Sequence, residues 1–169
     1  GDLKYRRSNG WTNYPIGILW TYQKKGYRIP NGFDLLIYGD IPSGAGLGTS
    51  ASIGVALGLM IREMFGFEDI TNVDIALLGQ YAENEFQGIN CGILDQFASA
   101  MGKKDHSIFL DTSDLRYEYA PIDISEYALV IINSHKARGA FDAKYNERRY
   151  ECERALAQLQ SIAAIQSLG

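Results

Sequence analysis

The sequence predicts an α+β chain, and three observations lead there. A strand-like apolar run, Asp34-Leu35-Leu36-Ile37-Tyr38-Gly39, feeds through a glycine-rich loop into a long apolar stretch with helical spacing, about residues 49–65. Two shorter runs, 106–111 and 115–120, are joined by the turn residues Thr112-Ser113-Asp114 and read as paired strands. A further run at 127–133 contains Ala128-Leu129-Val130-Ile131-Ile132, the pattern of a buried strand.

The composition narrows the partners. The 169 residues carry a formal net charge of −4 with no long basic run, which argues against nucleic acid. Cys91 and Cys152 have no metal-ligand spacing and fit a reducing compartment, so a cytoplasmic location is expected. No apolar run is long enough to span a membrane, and the amino terminus lacks a signal-peptide pattern. The chain opens without Met and stops just after a predicted helix, so it is expected to be a piece of something longer.

Along the chain, a polar opening and the Asn9-Gly10 turn precede a first helix. Trp11, Tyr14, Ile18, Leu19 and Tyr22 recur at helical spacing, Pro15 suits the first turn, and Gly26 and Asn31-Gly32 punctuate the end. The helix over 49–65 is apolar nearly all round and reads as central. Its Ser50, Gly54 and Gly58 form a smooth ridge for close packing, since each Gly costs ~1 kcal/mol against Ala in a helix. Thr71-Asn72-Val73-Asp74 has the form of a capping box. The helix it opens runs to about Gln87, with Ile75, Leu78, Ala82 and Phe86 inward and Gly88 just past the end. Glu83 lies off that stripe, where a solvated role is the simplest. A loop, Gly88–Gly92, leads into a short helix ending near Gly102. Asp95 sits in its first turn, as acidic residues commonly do. A basic loop, Ser134–Ala140 with Lys136 and Arg138, precedes a last helix over about 142–164. Tyr145, Cys152, Leu156 and Leu159 are expected on its inner face, with Arg148, Arg149 and Arg154 in solvent.

The loop between the first predicted strand and the central helix is the strongest chemical signal: Pro42-Ser43-Gly44-Ala45-Gly46-Leu47-Gly48-Thr49-Ser50-Ala51-Ser52. Pro42 ends the strand. Gly44, Gly46 and Gly48 allow positive φ and a close backbone approach to a ligand. Thr49, Ser50 and Ser52 then open the helix, where free N–H groups and the helix dipole favour an anion such as a nucleotide phosphate chain. The loop lacks the Lys of a Walker A motif, and Thr49 stands where a dinucleotide fingerprint needs its third Gly. A plain strand-to-helix turn with a Ser/Thr cap is the alternative.

Pro42–Ala51 resembles the phosphate-loop motif of the small-molecule kinase superfamily of galactokinase, homoserine kinase, mevalonate kinase and phosphomevalonate kinase. The likeness is closer to the galactokinase family. It rests on Trp11-Thr12-Asn13-Tyr14-Pro15-Ile16-Gly17, Ala82-Glu83, Cys91-Gly92-Ile93-Leu94-Asp95-Gln96-Phe97, Ile131-Ile132-Asn133-Ser134, Tyr145-Asn146-Glu147-Arg148-Arg149 and Cys152-Glu153, in order over roughly residues 9–155. The resemblance implies a two-layer sheet-and-helix N-terminal domain of ribosomal-protein-like fold at 1–125, including the family's left-handed βαβ crossover. The start of a C-terminal domain would occupy 126–169, with the site in the cleft between the two.

It further implies roles for particular residues. Ser50 and Glu83, the latter twelve residues before Asp95, would serve a magnesium ion. Asp95 would be the catalytic carboxylate, and Gly92, Asp95 and Tyr145 would contact the sugar, although a core role for Tyr145 stays open. The implied reaction is ATP-dependent phosphorylation of the anomeric hydroxyl of galactose by a monomeric, soluble enzyme. Two family motifs are absent: the Gly-Glu-His-Thr-Asp-Tyr-like segment that supplies the catalytic Arg and most sugar-hydroxyl ligands, and the third, Gly-rich motif. Thr49 replaces a usual Ser, and Lys136-Ala137-Arg138 departs from the family's adjacent basic pair. Alternatives are a kinase for a related sugar such as N-acetylgalactosamine, and a non-catalytic sugar and ATP sensor. With two motifs missing, residues 1–169 alone should show no galactose-dependent ADP release in a coupled assay.

Overall fold

The structure is a computed structural model that describes residues 2–133 and 141–168. A 3-10 turn over Arg7–Thr12 leads into α1, Asn13–Lys24. Then come α2, Thr49–Phe65; α3, Asn72–Tyr81; and α4, Leu94–Met101. The strands β1, His106–Leu110, and β2, Tyr117–Pro121, precede the last helix, α5, Phe141–Gln160. The two strands pair antiparallel, with Ile108 opposite Tyr119 at the centre.

The core lies where α2 is crossed by α1, α3 and α4. Ile18 and Tyr22 from α1, Val55, Leu57 and Ile61 from α2, and Ile75 and Leu78 from α3 form one buried cluster. The glycine ridge of α2 makes this possible. A methyl at Gly54 would lie 3.4 Å from Ile18 Cδ1, and one at Gly58 only 3.0 Å from Ile75 Cγ2. At Gly58 the neighbouring side chain would have to yield, so the helix gives up propensity for proximity. Tyr22 closes the arrangement by donating its hydroxyl proton to the Gly58 carbonyl at 2.7 Å. A second cluster of Ala76, Ile93 and Phe97 joins α3 and α4 to the hairpin through Ile108 and Leu110.

Helix boundaries follow the local chemistry. Pro15 is the third residue of α1, and Gly26, just past its end, has φ +92. The predicted capping box forms: Asp74 N donates to Thr71 Oγ1 at 3.1 Å, and Thr71 N donates back to Asp74 Oδ2 at 2.8 Å. Beyond Tyr81 the helix does not stay α. It widens into a π turn over Ala82–Phe86 before Gly88 ends it at φ +74.

Three expectations fail. Residues 34–39 and 127–133 are not strands. A strand persists only when a neighbour takes up its backbone groups, and among the described residues the sole sheet is the β1–β2 pair. Leu36 and Tyr38 are 92% and 93% exposed, and Ile132 86%. That sheet contains no parallel crossover, so the left-handed βαβ unit is not present among the described residues. Finally, the expected inner face of α5 is not buried among the described residues: Cys152 and Leu159 are exposed and Leu156 is only half-buried. Its arginines are in solvent as expected, Arg148 paired with Glu151 and Arg149 with Glu153. The basic loop with Lys136 and Arg138, and the side chain of Tyr145, lie outside the described residues.

Thr71→Ala removes the side-chain half of the capping box, the acceptor for Asp74 N, and leaves the backbone N–H of residue 71 to Asp74 Oδ2. It should cost ~1 kcal/mol of stability and lower the midpoint of chemical denaturation without changing its slope.

Candidate functional site

The loop from Pro42 to Gly48 is exposed for most of its length, and its alternate glycines all take the left-handed conformation: Gly44 φ +72, Gly46 φ +75, Gly48 φ +64. Ser43, Ala45 and Leu47 lie between them. Gly48 is the N-cap of α2 and offers no side-chain cap, so no side-chain oxygen closes the helix mouth. The hydroxyls turn back onto backbone: Ser52 Oγ donates to Thr49 O at 2.9 Å, and Thr49 Oγ1 reaches Pro42 O at 3.5 Å. Ala51 is buried and roots the first turn in the core. The ordinary Ser/Thr cap is thus not what is built. The mouth of α2 is a run of backbone with three left-handed glycines and the positive end of the helix dipole behind it.

Asp95 faces that mouth. It lies on the first turn of α4, exposed, and a side-chain carbon at Gly48 would be 3.5 Å from its carboxyl carbon and 3.6 Å from Oδ2. Two segments 47 residues apart in sequence therefore bring a carboxylate against the glycine that starts α2. Gly92, just upstream, is exposed, with nothing within 4 Å of where its Cβ would be.

Glu83 is 8% exposed, not solvated. The π turn rotates the helix so that Ala82, Glu83 and Phe86 all point inward. Burial pushes the Glu83 carboxyl above the usual range; hydrogen bonds with Ser50, Gln96 and Cys91 pull it back, and the Asp95 charge adds to the rise. Ser50, Glu83 and Asp95 therefore form one neighbourhood. A hydroxyl and a carboxylate are hard oxygen donors of the kind magnesium takes beside phosphate oxygens. Among the described residues no group of three or more His, Cys, Asp and Glu is arranged to hold a metal, so a cation here would have to share its ligands with a bound substrate.

The surrounding shell was not assigned from sequence. Gln96, 2% exposed, donates from Nε2 to Glu83 Oε1 at 3.3 Å and leaves its own Oε1 buried without a partner. Gly79 makes room for it, since a Cβ there would be 3.3 Å from Gln96 Cγ. Asn84 Oδ1 accepts from the Cys91 N–H at 2.9 Å and from its thiol at 3.3 Å. Burial and the Glu83 charge push the Cys91 thiol up to about 12, so it is an inert packing group. The available signal was Gln96 beside Asp95: adjacent residues on a helix point to different sides, one outward and one in. Two clefts, of about 450 Å³ beside Lys25 and Tyr81 and about 300 Å³ beside Trp11 and Gln87, contain none of the predicted site residues.

With this geometry in place, the family profile for the GHMP kinases N terminal domain matches residues 13–103. The chain belongs to the GHMP kinases. This GHMP kinase is 49% identical over 168 residues to a galactokinase of Clostridium beijerinckii, and 43% identical over 168 residues to one of Bacillus subtilis. In each case 99% of this chain and 43% of the relative are covered. It also superposes with a TM-score of 0.90 and 38% identity on the crystal structure of Lactococcus lactis galactokinase complexed with galactose, again over 99% of this chain and 43% of that one. The chain thus spans less than half the length of the relatives it matches.

The raised carboxyl of Glu83 has a signed consequence. A group whose folded pKa lies above its unfolded value stabilises fully below the unfolded value, and that stabilisation is lost as pH rises through the folded value. Glu83→Gln keeps the shape and removes the ionisation. Relative to the wild type it should gain stability as pH rises from 4 through neutrality, with the difference closing toward acid, as read by denaturation at a series of pH values.

Proposed function

We propose that this chain is the phosphate-binding part of a galactokinase that transfers the γ-phosphoryl group of ATP to the anomeric hydroxyl of galactose. The observation that carries the proposal is the Asp95 carboxylate lying against the Gly48 cap of α2. There the reacting hydroxyl and the phosphate chain would meet. The identity to galactokinases and the superposition on a galactose complex support the choice of sugar. Residues 1–125 would belong to the N-terminal domain and 126–169 to the start of the C-terminal domain, in a cytoplasmic, monomeric protein.

The chemistry follows from position and charge. Phosphoryl transfer needs in-line alignment and stabilisation of charge spread over phosphate oxygens more than covalent help. The N–H groups of residues 43–51, around the three left-handed glycines, would hold the β-phosphate. Ser50 and Glu83 would hold a magnesium ion, which when bound neutralises the phosphate charge. Gln96 fixes one oxygen of Glu83 and so limits how the carboxylate turns. Asp95 would take the proton of the sugar's anomeric hydroxyl. That oxygen forms the new bond to the γ-phosphorus as the bond from phosphorus to the bridging oxygen of ADP breaks. The open space beside Gly92 would admit the sugar ring, which Tyr145 would also contact.

The test is turnover of the whole protein over a panel of sugars, including galactose, N-acetylgalactosamine and glucose. Galactose should be the preferred substrate, and Asp95→Ala should lower kcat by about 10²–10⁴-fold while ATP binding persists. Preference for another sugar would overturn the substrate assignment. Binding of sugar and ATP without any turnover would make the protein a sensor.

A further inference from the structure

Asn146 sits on α5, next to Tyr145 in the chain, and both ends of its side-chain amide are engaged. Nδ2 donates to the Gly88 carbonyl at 2.9 Å, and Oδ1 accepts from the Asn90 backbone N–H at 2.8 Å. One side chain thus does for this loop what a neighbouring strand would do, taking up a donor and an acceptor two residues apart. Both partners are backbone groups with fixed roles, so the amide has only one orientation that satisfies them.

The loop it grips is the short link between the two carboxylates of the site. The link leaves the π turn that carries Glu83, passes Gly92 and enters α4 at Asp95. From the helical side it is already tied down. Ile89 N donates to Glu83 O at 3.0 Å, Cys91 N to Asn84 Oδ1 at 2.9 Å, and Gln80 Nε2 to Cys91 O at 3.2 Å. Asn146 supplies the opposing grip from α5. This bidentate polar clamp defines the spacing between α5 and the loop.

We infer that Asn146 is a positioning residue for sugar binding: it fixes the separation between α5, with Tyr145, and the loop bearing Gly92 and leading to Asp95. The inference rests on the kinase assignment above. Asn146 itself touches no substrate. Its influence falls on the sugar side of the site, because its two hydrogen bonds go to Gly88 and Asn90, in the loop that leads through Gly92 to Asp95.

The experiment uses the whole protein, with the variants Asn146→Ala and Asn146→Asp. Asn146→Ala should raise KM for galactose by about tenfold, leave kcat and KM for ATP within about twofold, and speed hydrogen exchange at the Asn90 amide by about tenfold. Asn146→Asp keeps the acceptor for Asn90 N–H and loses the donor to Gly88. It should preserve Asn90 protection while still weakening galactose binding. Unchanged Asn90 exchange in Asn146→Ala overturns the clamp, whatever reaction the protein performs. An equal rise in KM for galactose and ATP, with a lowered melting temperature, shows a structural role only and overturns the positioning role. A wild-type protein that does not turn over galactose overturns the kinase assignment, and the sugar-positioning role falls with it.

Discussion

The close approach of α1 and α3 to α2 is the constraint on which the rest of the molecule depends. It exists because Gly54 and Gly58 have no side chains where Ile18 and Ile75 must go. A side chain at Gly58 would force Ile75 to yield, and in a dense interior the shift would not stay local. The amino end of α2 is one wall of the candidate site, and α4, which contacts both α2 and α3, carries the other. A carboxylate 3.5 Å from where a Gly48 side chain would begin is therefore a consequence of packing two turns deeper in the same helix. Interiors are too dense to absorb such changes by small adjustments.

Burying Glu83 runs against its hydration, and the structure limits the cost in two ways. It supplies hydrogen bonds from Ser50 and Gln96, and it holds the group beside a region designed by its geometry for a negatively charged ligand and, in the proposed reaction, a cation. A carboxylate that is under-solvated in the ligand-free fold is poised to gain from a cation more than a surface carboxylate would. The unpartnered Gln96 Oε1 belongs to the same pattern.

Much of this was legible from residue types. The central helix begins at Thr49 and ends at Phe65 because a glycine run precedes it and Gly66 follows, and those signals are local. The alternate glycines of the loop take the positive φ that their spacing suggested. The Thr71–Asp74 box needs only four residues to specify it. What escaped depended on distant partners. The apolar runs at 34–39 and 127–133 have strand composition, but composition cannot supply a neighbouring ladder. The π turn at Ala82–Phe86 has no sequence signature, so helical periodicity alone puts Glu83 off the buried stripe that it in fact joins. Gln96 and Asn146 gain their importance from partners 13 and 56–58 residues away, separations over which periodicity says nothing.

The unpaired apolar runs also bear on how the polypeptide behaves in concentrated solution. Leu35-Leu36-Ile37-Tyr38 and Leu129-Val130-Ile131-Ile132 combine strong β-propensity with no charge and an open backbone, the features that nucleate cross-β association between molecules. The first is bracketed by Asp34 and Asp40, which act as gatekeepers by repelling like neighbours in a growing stack. The second has Glu126 upstream but the uncharged Asn133 at its far end. Colloidal failure of this polypeptide should therefore begin at residues 129–132, and a carboxylate introduced beside them would improve its shelf life without touching the candidate site.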